Sequence, residues 1–355
     1  MKKLNLILII FVAFAFLSAC SKSNGTENGE KTTPTVTTGA EATTAPEATV
    51  TQEAVAPDKI DINIAALKGP TAIGMVKVMN DSDQGTTANR YQFTIAGTAD
   101  EISTGLVKGD YDIAAIPCNL ASVLYNNTDG SIKLAGINTL GVLYIVETGN
   151  TINSVADLKG KTIYATGLGT TPQYTLNYVL EANGIDPQKD VTIEYKTEPT
   201  EVAALLEDTT DAIAMLPQPY VTTVLLQNDK LRIALNLAEE WDKVSTDGSS
   251  VVTGVVVVRS EFLENNKAAV DAFLEEYSAS AAFVNENIDE AAQLVEQYDI
   301  FKAAPTKKAI PYCNITLIRG GEMKEKVSGY LTALFNQEPK SVGGKLPSDD
   351  FYYIP

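Results

Sequence analysis

The stretch KTIYATGLGTTPQYTLNYVLEANG, residues 161–184, decides the fold class of this chain. Lys161–Ala165 is predicted to be a strand, and residues 167–172 form a tight loop rich in glycine and threonine. The segment Gln173–Asn183 is predicted to be a helix that ends at Gly184. A strand that leads through a short loop into a helix is the repeating unit of α/β proteins.

The same alternation of strands and helices extends to both sides of this stretch. Further strands, with helices between them, are predicted at Ile60–Leu67, Tyr91–Ala96, Tyr111–Ile116, Val191–Tyr195, Ala212–Leu216 and Leu231–Leu237. Two more strands are predicted within Ile132–Thr148, which is rich in Leu, Val, Ile and Gly. The sequence therefore predicts an α/β fold with largely parallel sheets.

The pattern changes after residue 250. Gly254–Arg259 is predicted to be a buried strand, and the chain from Ser260 to about Phe335 is predicted to be helical, with breaks near Pro305 and Pro311. The end of the chain, residues 339–355, has the composition of a polar tail that contains proline.

Two similar α/β halves followed by helices predict two lobes that are joined by crossing strands. We expect the crossings near Glu147 and near Val251. The first lobe would comprise residues 58–146 and 251–355, and the second lobe would comprise residues 147–250. Two lobes suit a folded part of this length, which is long for a single core.

The N-terminus has the pattern of a secretory signal. Lys2 and Lys3 precede an apolar run from Leu6 to Leu17, which is too short to span a bilayer because a spanning helix needs about 20 residues. Leu-Ser-Ala before Cys20 resembles the lipobox of bacterial lipoproteins, in which the cysteine is lipidated and becomes the new N-terminus. The alternative is an ordinary signal peptide that contains a cysteine. We expect residues 1–19 to be removed and residues 20–57 to form a lipidated, disordered tether of roughly 35 Å.

Composition excludes several classes of function. The net charge of -18 disfavours nucleic acid and anionic lipid headgroups as partners. The chain has no histidine, which excludes Ser-His and Cys-His nucleophile pairs and His-ligated zinc. Beyond Cys20 there are Cys118 and Cys313, which we expect to be two buried free thiols, with a disulfide as the alternative.

No motif predicts a cofactor or a metal. Gly167 and Gly169 follow a strand, but Pro172 occupies the place of the third glycine of a dinucleotide loop. The segment Asp81–Gly85 resembles the start of a calcium loop but lacks the glycine at the sixth position and the later glutamate, so it is predicted to be a loop after the first helix. Aromatic residues that could stack on a flat ligand, or pack in the core instead, are Trp241, Tyr144, Tyr174 and Tyr220.

Four strand ends share one feature: each leads into a helix that begins with a proline or a small polar residue. Ligands of open parallel sheets bind outside the carboxyl ends of the strands, where helix N-termini offer free N–H groups. Proline and threonine are also common helix starters, so each loop taken alone can be purely structural. The candidate ligand-binding residues are Gly69, Pro70, Thr71, Asn119, Gly169, Thr170, Thr171 and Gln218.

Residues 154–193 resemble the second lobe of solute-binding proteins of ABC importers, specifically the sulfonate, nitrate and taurine binders and their NMT1/THI5-like relatives that carry thiamine precursors. Gly69-Pro70-Thr71, residues 110–114 and residues 259–263 also match. The resemblance covers about residues 60–300. It implies a two-lobed, type II periplasmic-binding-protein-like fold with a hinge and C-terminal helices. Related pyrimidine synthases use a histidine, which this chain lacks.

The resemblance implies a lipid-anchored, extracytoplasmic receptor that captures a small polar or anionic solute and delivers it to a permease and its ATPase. We expect a monomer with no enzymatic activity, no cofactor and no nucleic-acid partner. Two alternatives stay open: an extracellular enzyme on the same fold, which would need a carboxylate or lysine as its base, and a membrane-anchored sensor. The loops hold no Arg or Lys beyond Lys68, which leaves room for a neutral heterocycle rather than a sulfonate.

Overall fold

The computed structural model describes residues 59–246 and 248–355. All of the described helices and strands belong to one compact unit. The signal peptide, Cys20 and the tether predicted for residues 1–57 lie outside the described residues. Among the helices that are described, none combines the length and the apolar character needed to cross a membrane.

Eleven strands lie in the described residues, and most follow the predicted ones within a few residues. They are β1 (Asp61–Leu67), β2 (Arg90–Ala96), β3 (Ile113–Pro117), β4 (Ile132–Leu140), β5 (Leu143–Thr148), β6 (Thr162–Thr166), β7 (Thr192–Lys196), β8 (Ile213–Pro217), β9 (Leu231–Asn236), β10 (Val252–Arg259) and β11 (Ile315–Ile318).

Helices alternate with the strands and then dominate the C-terminal part. They are α1 (Pro70–Ile73), α2 (Val76–Asp83), α3 (Ala99–Lys108), α4 (Cys118–Asn127), α5 (Thr171–Ala182), α6 (Pro199–Asp208), α7 (Tyr220–Gln227), α8 (Leu237–Val244), α9 (Ser260–Asn265), α10 (Lys267–Glu286), α11 (Ile288–Gln297), α12 (Ala303–Ala309) and α13 (Gly320–Gln337). Short 3₁₀ turns lie at Val155–Leu158, Ile310–Tyr312, Pro339–Val342 and Asp349–Phe351.

The strands form two sheets. The six-stranded sheet has the order β11-β4-β10-β3-β1-β2, and the five-stranded sheet has the order β7-β6-β8-β5-β9. We call the first sheet with its helices the first lobe and the second sheet with its helices the second lobe. The chain passes to the second sheet between Leu140 and Leu143, before the position near Glu147 that the sequence suggested, and it returns ahead of β10.

Both sheets are mixed, so the prediction of largely parallel sheets was wrong: three of five strand pairs in the first sheet and two of four in the second are antiparallel. Strand β1 pairs in parallel with β2 and β3, and β6 pairs in parallel with β7 and β8. The remaining pairs are antiparallel. Strands β5 and β10, which enter and leave the second lobe, run against their neighbours and account for four of these pairs, and the edge strand β11 adds the fifth.

The sequence of strand β10 contains four consecutive valines, and the packing of the strand explains why. Val255 and Val257 face one hydrophobic core, whereas Val256 and Val258 face another. A strand with both faces covered by helices needs no polar side, so successive side chains are all apolar. The core that contains Val255 also contains Trp241 of α8 and Tyr330 of α13, so apolar packing is continuous between the lobes.

Three features of the C-terminal half differ from the predictions. Helix α8 and the edge strand β11 were not predicted; Asn236 caps α8 by accepting a hydrogen bond from the Ala238 N–H. The break predicted near Pro305 is present, because α11 ends at Gln297 and α12 begins at Ala303 with Pro305 in its first turn, where no backbone N–H is required. Residues 339–355 are not a polar tail, because Val342 and Phe351 are fully buried.

Both cysteines of the described residues are free and buried, as the sequence predicted. Burial raises the pKa of both the Cys118 and the Cys313 thiols above the ordinary cysteine value. Each side chain therefore packs as a small apolar group rather than as a nucleophile.

Candidate functional site

A cavity of about 430 Å³ lies between the two lobes. The first lobe lines it with the loops that follow β1, β2 and β3 and with parts of β4 and β10, and the second lobe lines it with the loops that follow β6, β7 and β8. The volume is within the range of small-molecule sites, which is roughly 300–1,000 Å³. Its position at the strand ends of both sheets is the one expected for ligands of such folds.

The structure brings most of the candidate residues to this cavity. Gly69, Pro70 and Thr71 line it from the first lobe, and Thr170, Thr171 and Gln218 line it from the second. Asn119 and Gly169 are not among the lining residues. Contact of any of these residues with a ligand remains a prediction.

Asn119 joins the lobes beside the cavity. Its side chain is fully buried, and its Nδ2 donates hydrogen bonds to the carbonyl oxygens of Gly169 at 3.2 Å and Ser341 at 2.9 Å. Its Oδ1 accepts a hydrogen bond from the Thr171 hydroxyl at 3.3 Å. The amide is thus committed to holding two lobes and the C-terminal segment together.

Several donors expected in the candidate loops already have partners within their own lobe. Pro70 has no N–H, and the N–H of Gly169 donates to Gln173 Oε1 at 2.6 Å. The N–H of Thr170 donates to the Gly167 carbonyl at 3.0 Å. The hydroxyls of Thr71 and Thr170 donate to backbone carbonyls as well. These loops therefore offer fewer free donors than their sequence suggests.

Three hydroxyls in the cavity wall have no hydrogen-bond partner among the described residues: Thr139 Oγ1, Thr253 Oγ1 and Tyr195 Oη. All three atoms are buried, and they come from β4 and β10 of the first lobe and β7 of the second. A buried polar atom without a partner costs about 1–3 kcal/mol, so each of these atoms would gain from a hydrogen bond to a ligand in the cavity. Sequence reasoning missed all three residues.

A glycine shapes the floor of the cavity between these hydroxyls. A Cβ atom at Gly254 would lie 2.6 Å from Asn138 Oδ1 and 2.9 Å from Thr71 Cγ2, so no larger residue fits without displacement. Asn138 is fully buried beneath it. The sequence signal that could have indicated this site is the dipeptide Thr253-Gly254, which interrupts an otherwise valine-rich strand.

Tyr195 and Tyr220 supply aromatic surface to the second-lobe side of the cavity. Burial raises the pKa of Tyr220 to about 12 and raises that of Tyr195 as well, so both are neutral at physiological pH. The other three aromatic candidates lie elsewhere. Trp241 stacks on Tyr178 with ring centroids 3.7 Å apart, Tyr144 is buried in the second lobe, and Tyr174 lines a different surface hollow.

Charged groups lie at the margin of the cavity. Lys68 and Asp100 are exposed, and Lys196 forms an ion pair with Glu194 at 3.1 Å while it lies over the Tyr164 ring. Glu198 reaches across from the second lobe, because a Cβ on Gly97 would lie 3.0 Å from its Oε1. Lysine and acidic side chains thus lie close together at the opening of the cavity.

Two larger hollows, of about 800 and 700 Å³, occur elsewhere on the described surface. The first is lined mainly by polar residues around Thr209-Thr210-Asp211 of the second lobe, and the second lies between α5 and the end of α13. Neither joins strand ends of the two sheets. The described residues contain no group of three or more Cys, Asp or Glu side chains placed to hold a metal ion.

The described part of the chain has the fold of periplasmic binding proteins, as the sequence predicted. The crystal structure of an ABC transporter protein from Parabacteroides distasonis is 26% identical and covers 83% of this chain and 99% of that one, with a TM-score of 0.68. The periplasmic aliphatic sulphonate binding protein SsuA from Escherichia coli is 17% identical, with coverages of 83% and 92% and a TM-score of 0.65.

A third similar structure is the ligand-binding component of an ABC-type import system from Staphylococcus aureus, solved with zinc bound. It is 16% identical, covers 84% of this chain and 97% of that one, and gives a TM-score of 0.66. Residues 133–291 match the sequence model of the family described as NMT1/THI5 like. The resemblance stated from the sequence is therefore confirmed. A search of curated protein sequences returns no match.

Proposed function

We propose that this protein is the solute-binding component of an ABC importer. The observation that carries the proposal is the interlobe cavity in which unpartnered, buried hydroxyls from both lobes converge. A small solute between the lobes would give these groups hydrogen-bond partners and would favour the closed arrangement, which a permease then recognises. The NMT1/THI5-like domain and the ABC-import proteins of the same fold support this assignment.

The proposed solute is a small polar molecule, of the sulfonate, nitrate and taurine class or of the class of heterocyclic vitamin precursors. The cavity volume suits either class. The proposed site residues are the candidates that line the cavity together with Thr139, Thr253 and Tyr195. Asn119 and Gly169 do not line the cavity but are hydrogen-bonded to each other beside it.

The proposed location is the outer face of the cytoplasmic membrane, with Cys20 as the lipidated residue and the following segment as the tether. This part of the proposal rests on the sequence alone. Mass spectrometry of the protein isolated from bacterial membranes tests it. The expected mass is that of residues 20–355 plus the lipid attached to Cys20. A Cys20→Ser variant should be released from the membrane.

An enzymatic role on the same fold has less support. The one carboxylate that lines the cavity is that of Asp100, which is exposed at the margin, and the lining contains no histidine. General acid–base chemistry needs a positioned titrating group, and in two-carboxylate mechanisms a second one opposite it. Turnover of a bound solute would favour the enzyme over the receptor.

Thermal unfolding of the full chain against a solute panel tests the proposed function. The panel holds sulfonates, nitrate, taurine, thiamine precursors, riboflavin and nucleosides. A solute that binds only the folded state stabilises it by about 2.7 kcal/mol at a hundred times its dissociation constant, so the melting temperature rises.

A matched pair of variants locates the binding. Thr253→Val in the cavity should reduce the stabilisation to about half, because tenfold weaker binding leaves the solute at about ten rather than about a hundred times its dissociation constant. Thr192→Val, at an exposed threonine on β7, should retain the full rise. An undiminished rise in both Thr253→Val and Thr139→Val would place the solute outside the cavity and would contradict the proposed site.

A further inference from the structure

We infer that the cleft binds a solute that carries no net charge, held by hydroxyl groups rather than by cations or helix N-termini. The inference rests on the proposed function and narrows its solute class. It departs from the anionic solute named for the sulphonate-binding neighbour of the same fold. Three independent features of the cavity carry it: its cations, its helix starts and its hydroxyls.

The cations of the cavity are not placed to hold an anion. Lys196 has a partner in Glu194 at 3.1 Å, and Lys68 is exposed at the margin, where Asp100 also lies. Moving an unpaired anion from water into a cleft with mostly apolar walls is costly unless a charge or several hydrogen bonds replace its hydration. The inner wall, around Thr139 and Thr253, contains no charged side chain.

Three helix starts around the cavity each lack one of the backbone donors that could bind an anion. Prolines occupy first-turn positions of α1, α5 and α6, and prolines also end β3 and β8 at the cavity wall. A proline has no N–H, so it cannot take part in the ring of backbone donors that holds an anion at a helix N-terminus. The five prolines are Pro70, Pro117, Pro172, Pro199 and Pro217.

Acidic side chains already occupy two of the helix starts. Asp100 and Glu101 lie in the first turn of α3, and Glu198 and Glu201 form a reciprocal cap at the start of α6. Carboxylates at these positions interact with the positive end of the helix dipole and repel a second anion. The mouth of the cavity therefore disfavours an anionic solute on electrostatic grounds.

The unpartnered groups that remain are suited to a neutral solute. A hydroxyl can donate one hydrogen bond and accept two, so Thr139, Thr253 and Tyr195 can pair with carbonyl, hydroxyl or amide groups alike. The prolines, Leu143 and Tyr220 supply apolar wall between them. The matching solute is an uncharged, partly apolar molecule with several hydrogen-bonding groups.

Capture of small molecules from a cell extract tests the inference. The full chain is incubated with a protein-free yeast extract at neutral pH, washed and denatured, and the released compounds are measured by mass spectrometry in both polarities. The double variant Thr139→Val/Thr253→Val is treated in parallel. The expected result is enrichment of a compound that is uncharged at neutral pH, with capture about tenfold weaker for each hydroxyl removed.

The possible outcomes separate the inference from the proposed function. Enrichment of a sulfonate, carboxylate or other anion that depends on the two threonines would overturn the inference and leave the receptor role standing. Equal release from the unmodified chain and the double variant would overturn both. Should the double variant unfold early, Tyr195→Phe replaces it, with Tyr312→Phe, an exposed tyrosine outside the cavity, as its control.

Discussion

The side-chain amide of Asn119, at the start of α4 in the first lobe, donates a hydrogen bond to the backbone carbonyl of Gly169 in the second lobe, 3.2 Å away. The same amide reaches Ser341 of the C-terminal segment and accepts from Thr171. A single buried side chain thus connects the loop beside the cavity, the opposite lobe and the end of the chain.

Asn119→Ala should lower the free energy of unfolding by about 2–4 kcal/mol, because it leaves the buried Ser341 carbonyl and Thr171 hydroxyl without this partner and also removes the bond to the Gly169 carbonyl. Urea unfolding measures the change. Asn265→Ala is the matched control, since Asn265 is exposed and donates only to the Glu261 carbonyl of its own helix. Equal losses in both variants would contradict a special role of Asn119.

The sequence predicted the strand-to-helix loops well because proline, glycine and threonine act locally. Thr71 and Thr170 were found for that reason. Asn119 was chosen by the same logic, but the course of residues 339–355, which no local signal reveals, commits its side chain elsewhere. Thr139 and Thr253 lie on strands, and whether such side chains meet a cavity depends on sheet order, which a single sequence does not provide.

Gly254→Ala should weaken solute capture and destabilise the protein, because the new methyl group would lie 2.6 Å from Asn138 Oδ1 and 2.9 Å from Thr71 Cγ2. Overpacking of this kind costs about 1–3 kcal/mol. Gly329→Ala is the opposite case, because there is room for the methyl group. Gly329 lies within α13, and its new Cβ would be 3.7 Å from Ser249, an ordinary van der Waals distance. Alanine at that helical position should stabilise by about 1 kcal/mol. Thermal unfolding of both variants measures the contrast, and a loss in both would refute it.

Acid should destabilise the second lobe through Glu147. Burial alone would raise the pKa of this carboxyl, but hydrogen bonds from Ile152 and Thr151 and the Arg232 guanidinium lower it below its ordinary value of 4.5. A lowered folded-state pKa stabilises the fold above the unfolded-state pKa, and that contribution is lost as the pH falls through the folded-state value.

Glu147→Gln separates this contribution from the general effect of acid. At neutral pH the variant should be less stable by about 3 kcal/mol, because Arg232 loses its carboxylate partner in a largely buried pair. The difference from the unmodified protein should shrink as the pH falls below 4.5, the ordinary glutamate value. Urea unfolding across this range measures it. Glu264→Gln, at an exposed position on α9, serves as the control, and a difference that stays constant with pH would refute the assignment.

The C-terminal segment should be an integral part of the first lobe. Phe351 is fully buried against Tyr125 with ring centroids 4.9 Å apart, and the Tyr353 N–H donates to the Leu134 carbonyl of β4 at 2.8 Å. Phe351→Ala should therefore cost about 3–5 kcal/mol of unfolding free energy, as for other buried aromatic residues. Ile354→Ala, three residues further on and half exposed, should cost less than 1 kcal/mol. Thermal and urea unfolding of the two variants measure the difference. If Phe351→Ala were as stable as Ile354→Ala, the segment would not belong to the core. The hydrogen bond from Asn119 to Ser341 would then not be held in place by buried packing of this segment.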